Sequence, residues 1–310
     1  MNRIFSRALL VVLALTIAIL PAYAQRGGGG APGGGAAGGR GAAAPDPVEK
    51  IQQIKPNFYW VAGGGANSVI LVTPEGIILV DTKNPGDEIY AALAEQIKSV
   101  SPLPVKFILN THHHPDHVGN NGKFVATGAQ VIGLEKMANL MATDARTKDI
   151  PGRPTQTFAK DYVLKLGGAE VDAHYYGSSH TGGDTIVYFP AQKFVMVSDT
   201  VPFASPTPGV GGANGSAVQV PGLLDRILKL DFDTALAGRG PLMTRAEIQA
   251  YKGKWDTFMT RVKDAIAKGA TKETLATQVK QDDLGWMFNA GFFGNLFDEL
   301  QKNPNGDPTP

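Results

Sequence analysis

The sequence predicts an α/β fold, and three observations carry that expectation. Short apolar runs of strand length alternate with stretches of helical periodicity along the whole chain from Val48 onward. One of the apolar runs, residues 105–109, feeds directly into a histidine-dense loop, and the carboxyl ends of strands are where α/β sheets place their sites. Apolar residues make up 43% of the 310 and charged residues 18%, the balance of a chain with a sizeable core.

The chain divides by composition into three parts. Residues 1–24 carry Arg3 and Arg7 ahead of an apolar run over 9–20, broken by Pro21 and closed by Ala22-Tyr23-Ala24. That is the layout of a secretory signal peptide, and the apolar run falls short of the ~20 residues that cross a bilayer. Export to the periplasm or full secretion follows, with no membrane attachment after cleavage. Cysteine is absent, which excludes both disulfides and an N-terminal lipidated cysteine. Residues 25–47 are rich in Gly, Ala and Pro, a composition that buries no core and reads as a disordered linker. Residues 48–310 form the folded domain. A net charge of +1 and the lack of a basic run speak against nucleic acid as a partner and leave a small molecule as the expected substrate.

Within the domain, 57–61 and 68–73 read as strands joined by the turn Gly63-Gly64-Gly65-Ala66-Asn67, which lacks the Lys-Ser/Thr of a phosphate loop. Residues 76–80 form a buried-type strand ending in Asp81-Thr82. A helix follows over 85–100, with Ile89, Ala92, Leu93, Ile97 and Val100 at helical spacing and Asp87 and Glu88 in its first turn. After the strand 105–109 come a short strand at 130–132, a helix at 134–145 and a Pro/Gly loop at 147–157. Residues 162–166 and 169–175 make a hairpin around Gly167-Gly168. Strands at 184–189 and 193–197 follow a loop bearing His180, and the second ends in Ser198-Asp199-Thr200. Residues 201–220 have no periodicity. A short helix is expected at 223–230 and a strand at 234–237, leading to Gly238-Arg239-Gly240. A long helix at 244–268 is opened by Thr244 with Glu247 at capping-box spacing, and a second helix spans 272–279. The tail 284–300 carries Trp286, Phe288, Phe292, Phe293 and Phe297. These aromatics either pack onto the domain or line a substrate pocket or dimer surface.

Chemistry concentrates in Thr-His-His-His-Pro-Asp-His, residues 111–117, which holds four of the six histidines. Neutral imidazole and carboxylate are ligands for a divalent transition metal. In an extended segment residues two apart share a face, so His112 and His114 address one ion while His113 points away as a structural or supporting residue.

The order of motifs resembles that of the metallo-β-lactamase superfamily over about residues 57–242. The resemblance rests on residues 67–81 as an opening hairpin ending in Asp81, on His112-x-His114-x-Asp116-His117, on His180 in Ser-His-Thr-Gly-Gly-Asp, and on Asp199. It implies a four-layer αβ/βα sandwich of mixed sheets with helices outside and metals at one edge. It implies a first zinc site of His112, His114 and His180, a second of Asp116, His117 and Asp199, and Asp81 as a buried structural aspartate. Asp116 would orient and deprotonate the attacking water. The implied activity is hydrolysis by zinc-bound hydroxide of a carbonyl compound (β-lactam, lactone or thioester) or a related ester. The pattern departs from the family at Gly238-Arg239-Gly240, where a histidine ligand is expected; a guanidinium has no lone pair to offer a metal. Arg239 then compensates the charge of Asp116 and Asp199 or grips an anionic substrate group, and His174 is the remaining histidine that could substitute as a ligand. The cofactor expectation is one zinc, with a weaker second ion as the alternative. A single iron on His112, His180 and Asp199, as in sulfur-oxidising relatives, ranks below both. A binding protein that has lost its chemistry is the competing functional class.

Overall fold

In the computed structural model, residues 46–201, 207–212 and 214–308 are described. The signal-peptide reading of 1–24 and nearly all of the linker reading lie outside them. Regular pairing already begins at the linker's last residues, where the Asp46 carbonyl accepts from Gly64 N at 2.8 Å.

Two mixed sheets form the body. The first runs β1 (Gln52–Lys55), β2 (Phe58–Val61), β3 (Ser68–Thr73), β4 (Gly76–Val80), β5 (Val105–Leu109), β6 (Gln130–Leu134) and β7 (Gln156–Phe158), in that spatial order. Its first four strands are antiparallel neighbours, and β4 through β7 are parallel. The parallel half needs crossovers, supplied by α1 (Asp87–Val100), by α2 (Pro115–Val118) with α3 (Asn121–Ala126), and by α4 (Glu135–Thr143). The second sheet contains β8 (Asp161–Leu166), β9 (Ala169–His174), β10 (Ile186–Phe189), β11 (Phe194–Met196), β12 (Thr234–Leu236) and β13 (Leu242–Thr244). Only its β11–β12 pair is parallel, and α5 (Val220–Ile227) lies in that crossover.

Three apolar clusters show the layering. One lies between the sheets, where Phe58, Val69, Ile78 and Leu109 of the first meet Val171, Val187, Phe194 and Leu236 of the second. Another joins the outer face of the first sheet, through Ile70, Ile77 and Leu79, to Leu93 and Ile97 of α1 and Phe124 of α3. The largest joins the outer face of the second sheet to α5, the long helix α6 (Arg245–Ala267), the single turn α7 (Leu275–Gln278) and α8 (Ala290–Lys302). The order is therefore helix, sheet, sheet, helix, as the resemblance implied. At α6 both halves of the Thr244–Glu247 capping box are made.

The expected elements need several corrections. β1, β13 and α8 were not anticipated. The loop expected at 147–157 ends in β7, which pairs with β6. The helix expected at 223–230 starts earlier, at Val220 with Pro221 in its first turn, and the helix expected at 272–279 is one turn long. The aromatic tail packs inward: Trp286, Phe288 and Phe293 are buried, with rings tilted against Trp255 and Phe258 of α6. No helix of the described residues is long and apolar enough to cross a membrane.

Candidate metal centre

The cluster forms where parallel strands of both sheets end. β5 delivers residues 111–117, β4 delivers Asp81, β11 delivers Ser198 and Asp199, and β12 delivers Gly238 and Arg239. Pro115 opens α2 at its first position, which fixes the turn that sets Asp116 and His117 behind the H-x-H pair. His180 arrives on the loop before β10. That loop is shaped by Asp184, whose carboxylate accepts from Ser179 N and Oγ and from Thr181 N and Oγ1.

Ligand atoms converge in two groups. One is His112, His114 and His180, the other His112, His117 and Asp199, and within each group the atoms lie within 4.8 Å of one another. The second differs from the expected set by taking His112 in place of Asp116. The Asp116 carboxylate is drawn instead to Arg239, while its Oδ2 stays 3.5 Å from His117 Nε2.

His112, His117 and His180 are each oriented through the nitrogen that faces away from the cluster. His117 Nδ1 donates to Asp81 Oδ2 at 2.7 Å, and His180 Nδ1 donates to the carbonyl of Gly209. These bonds leave Nε2 of both rings facing inward, the atom each would offer an ion once it carries no proton. His112 Nδ1 meets Ser198 Oγ at 3.0 Å, and its Nε2 is buried without a hydrogen-bond partner, as is that of His117. His114 Nδ1 and His180 Nε2 face each other at 3.0 Å. Across a tetrahedral zinc with ~2.0–2.1 Å bonds, two ligand nitrogens stand about 3.3 Å apart. The first group thus fits such an ion in donor type and spacing, and buried partnerless ring nitrogens are what a ligand set leaves for a metal.

The electrostatics separate the two groups. Burial, reinforced by neighbouring imidazoles, holds His112 far below its ordinary pKa and brings His114 down to about 2, so both are neutral as ligands must be. Burial would lower His117 too, but Asp81, then Asp116 and Asp199, raise it well above the ordinary value. Burial would raise Asp199, yet His117, His112 and Arg239 hold it well below the carboxylate range.

The remaining predicted residues sort cleanly. Asp81 is fully buried and also accepts from Thr111 N at 2.8 Å and Thr111 Oγ1 at 2.7 Å. His113 is turned from the cluster, its Nε2 donating to Asp144 Oδ2 at 3.0 Å. His174 is excluded as a substitute ligand: on β9 it donates from Nδ1 to Asp161 at 2.8 Å and stacks on Tyr176, outside both groups. Arg239 donates from Nη1 to Asp199 Oδ2 at 2.6 Å and from Nη2 to Asp116 Oδ2.

Sequence reasoning missed Ser198, Asp184, Asn67 and Lys83. Asn67 Nδ2 donates to the carbonyls of Ala237 at 3.0 Å and Gly240 at 2.9 Å, clamping the loop that carries Arg239. Lys83 is fully buried, and its Nζ contacts four carbonyls of the 61–66 turn, those of Ala66, Gly63, Val61 and Ala62 at 2.6, 2.7, 2.9 and 3.4 Å. The only advance signal for Asp184 was its place four residues after His180.

Comparison with known proteins agrees with this picture. A family model described as the metallo-beta-lactamase superfamily matches residues 61–239. The 2,4-dinitroanisole O-demethylase subunit alpha of Nocardioides sp. (strain JS1661) is 27% identical over 234 residues, covering 74% of this chain and 70% of that protein. The metallo-beta-lactamase type 2 of Elizabethkingia meningoseptica is 28% identical over 158 residues, 48% of this chain and 61% of that one. The metallo-beta-lactamase from Pontibacter korlensis superposes with a TM-score of 0.59 at 22% identity, over 67% of this chain and 99% of its own. The DIM-1 metallo-beta-lactamase gives 0.60 at 15% identity, over 69% and 99%. Those two structures speak for the shared fold, and the family model spans both the opening hairpin and the cluster: the chain belongs to the metallo-beta-lactamase superfamily.

Proposed function

We propose that the protein is an exported, zinc-dependent hydrolase acting on a small molecule with a scissile carbonyl or related ester bond. The observation that carries this reading is the convergence of His112, His114 and His180, with the rings of His112 and His180 held from behind. These three would hold the ion. A zinc bound there supplies Lewis acidity that polarises the scissile bond and acidifies water. The Asp116 carboxylate, 14% exposed beside that group, accepts the proton of the attacking water and returns it to the leaving group. Asp81 and Ser198 keep His117 and His112 in fixed ring orientations. Export to the periplasm or beyond rests on residues 1–24, and the near-neutral charge favours a small molecule over nucleic acid.

The substrate class is open to a direct test. Purified protein is assayed against a chromogenic cephalosporin, a simple lactone, a thioester, a phosphodiester and a nitroaryl methyl ether, each with and without chelator. The methyl ether belongs in the panel because the relative matched over most of both chains is a 2,4-dinitroanisole O-demethylase subunit. Turnover of at least one substrate that chelator abolishes and zinc restores is the expected result. Chelator-insensitive turnover, or tight metal binding with no turnover across the panel, refutes the reading, and restoration by iron alone replaces zinc with iron.

A further inference from the structure

We infer that Arg239 is a resident cation standing where a second metal ion would otherwise bind, so that the centre holds one ion per chain. The inference deepens the hydrolase reading and rests on it for the first ion only.

Three features of the cluster carry it. The two ligand groups share His112, and a single Nε2 lone pair serves one ion at a time. Once the group of His112, His114 and His180 is filled, the other is left with His117 Nε2 and the carboxylates of Asp199 and Asp116. Both carboxylates are already engaged by the same guanidinium, through Nη1 to Asp199 Oδ2 at 2.6 Å and Nη2 to Asp116 Oδ2. Two anions crowd one imidazole nitrogen at 3.5 and 3.7 Å, and beside the His117 ring the chain supplies a fixed cation of its own in Arg239.

The placement of Arg239 is built into the backbone. Asn67 N donates to the Gly238 carbonyl at 2.7 Å, and its side chain binds the carbonyls of Ala237 and Gly240, so the residues on both sides of Arg239 are pinned to the β2–β3 turn. Gly238 lets this loop close on the cluster: a Cβ there would collide with the Asp199 carboxylate and come within 2.8 Å of His117 Cε1. The guanidinium is 43% exposed at the mouth of the site, while the carboxylates beneath it are 14% and 10% exposed.

The test is metal stoichiometry, independent of any substrate. Wild type, Arg239→His, Arg239→Gln and Arg239→Lys are dialysed against buffered micromolar zinc and analysed for metal per chain, with circular dichroism and thermal melts to confirm folding. The expected ratio is one for wild type and for Arg239→Lys, rising to two in Arg239→His; Arg239→Gln, which is shorter and neutral and so frees both carboxylates, also gains an ion. Two tightly held ions in wild type overturn the inference, as does a ratio of one in folded Arg239→His and Arg239→Gln alike. A wild-type chain that holds no ion refutes the hydrolase reading instead. In that case a gain of one ion on Arg239→His still supports the role of Arg239, and no gain overturns it.

Discussion

Asp81→Asn separates the structural role of Asp81 from its control of His117. The carboxylate is fully buried and accepts three hydrogen bonds, from Thr111 N, Thr111 Oγ1 and His117 Nδ1, at 2.8, 2.7 and 2.7 Å. Asparagine keeps the size and, with its oxygen in the Oδ1 position, keeps the bond to Thr111 N. Its amide nitrogen then stands where Oδ2 stood, a donor facing a donor at His117 Nδ1. The ring, held charged mainly by Asp81, escapes the clash by giving up its Nδ1 proton and keeping the one on Nε2, the atom that faces Asp116 and Asp199. Replacing a charged acceptor by a neutral one weakens each bond by roughly 1 kcal/mol, so three bonds cost about 3 kcal/mol. For a domain of this size that lowers Tm by roughly 6–12 °C. Calorimetry on chelator-treated wild type and variant gives the Tm difference, and long-range ¹H–¹⁵N correlation of the imidazole gives the tautomer. A Tm within about 2 °C of wild type, well under the drop expected from the lost bonds, together with a His117 proton still on Nδ1, would refute the reasoning.

Two further outcomes follow from the same geometry. Gly238→Ala places a methyl group against Asp199 and His117, so Asp199 must leave the cluster; zinc affinity measured by competition with a chromogenic chelator should weaken, by ~10–100-fold on the scale of supporting-residue changes at metal sites, and unchanged affinity would show that Asp199 does not act there. Burial pushes Lys83 down to about 7, against the pull of Asp81 and Glu49, while the unfolded chain titrates near 10.5. Between those values the unfolded state binds more protons, so this contribution to stability rises with pH from about 7 to 10.5 and is flat below. The slope is ~1.4 kcal/mol for each pH unit, a few kcal/mol across the window. Denaturant titrations of wild type and Lys83→Met across that window should diverge, and parallel curves would argue against it.

Much of the fold was legible because the central strands and long helices repeat their own pattern. Residues 76–80, and 105–109 apart from the exposed Lys106, are apolar because helices or a second sheet cover both faces. The strands that were not legible are edges. β1 is Gln-Gln-Ile-Lys and half exposed, and β13 is three residues long, so only their pairing with β2 and β12 makes them strands. α8 does carry a local signal: Asn289 caps it, accepting from Phe292 N at 2.9 Å, and Phe293, Leu296 and Leu300 follow at helical spacing. The density of aromatics around it masks that periodicity. At the site, residue type and spacing singled out the stretch 111–117, the resemblance added His180 and Asp199, and the structure brings His112, His114, His117, His180 and Asp199 together. The partners behind the rings were not legible. Ser198 reaches His112 across 86 residues, a contact that exists only once the two sheets close on each other, and Gly209 reaches His180 across 29, from the loop after β11.

That closure shows in the backbone. Asp81 and Ser198 both have left-handed φ, 59° and 55°, a conformation that costs a side-chain-bearing residue roughly 1–2 kcal/mol. One follows β4 of the first sheet and the other follows β11 of the second, each at a carboxyl end that opens on the cluster. Each directs a side-chain oxygen to the Nδ1 of a different histidine, His117 and His112. A relaxed strand end would carry both side chains away from these rings. The cost is offset where it arises, by two further hydrogen bonds on Asp81 from Thr111 and by Gly238 N donating to the Ser198 carbonyl at 2.9 Å. The two sheets therefore contribute to the centre in the same way, each ending one strand in a strained turn that holds an imidazole from behind. Arg239 enters by a separate route, from the strand next to β11, and bears on the carboxylates without touching either support.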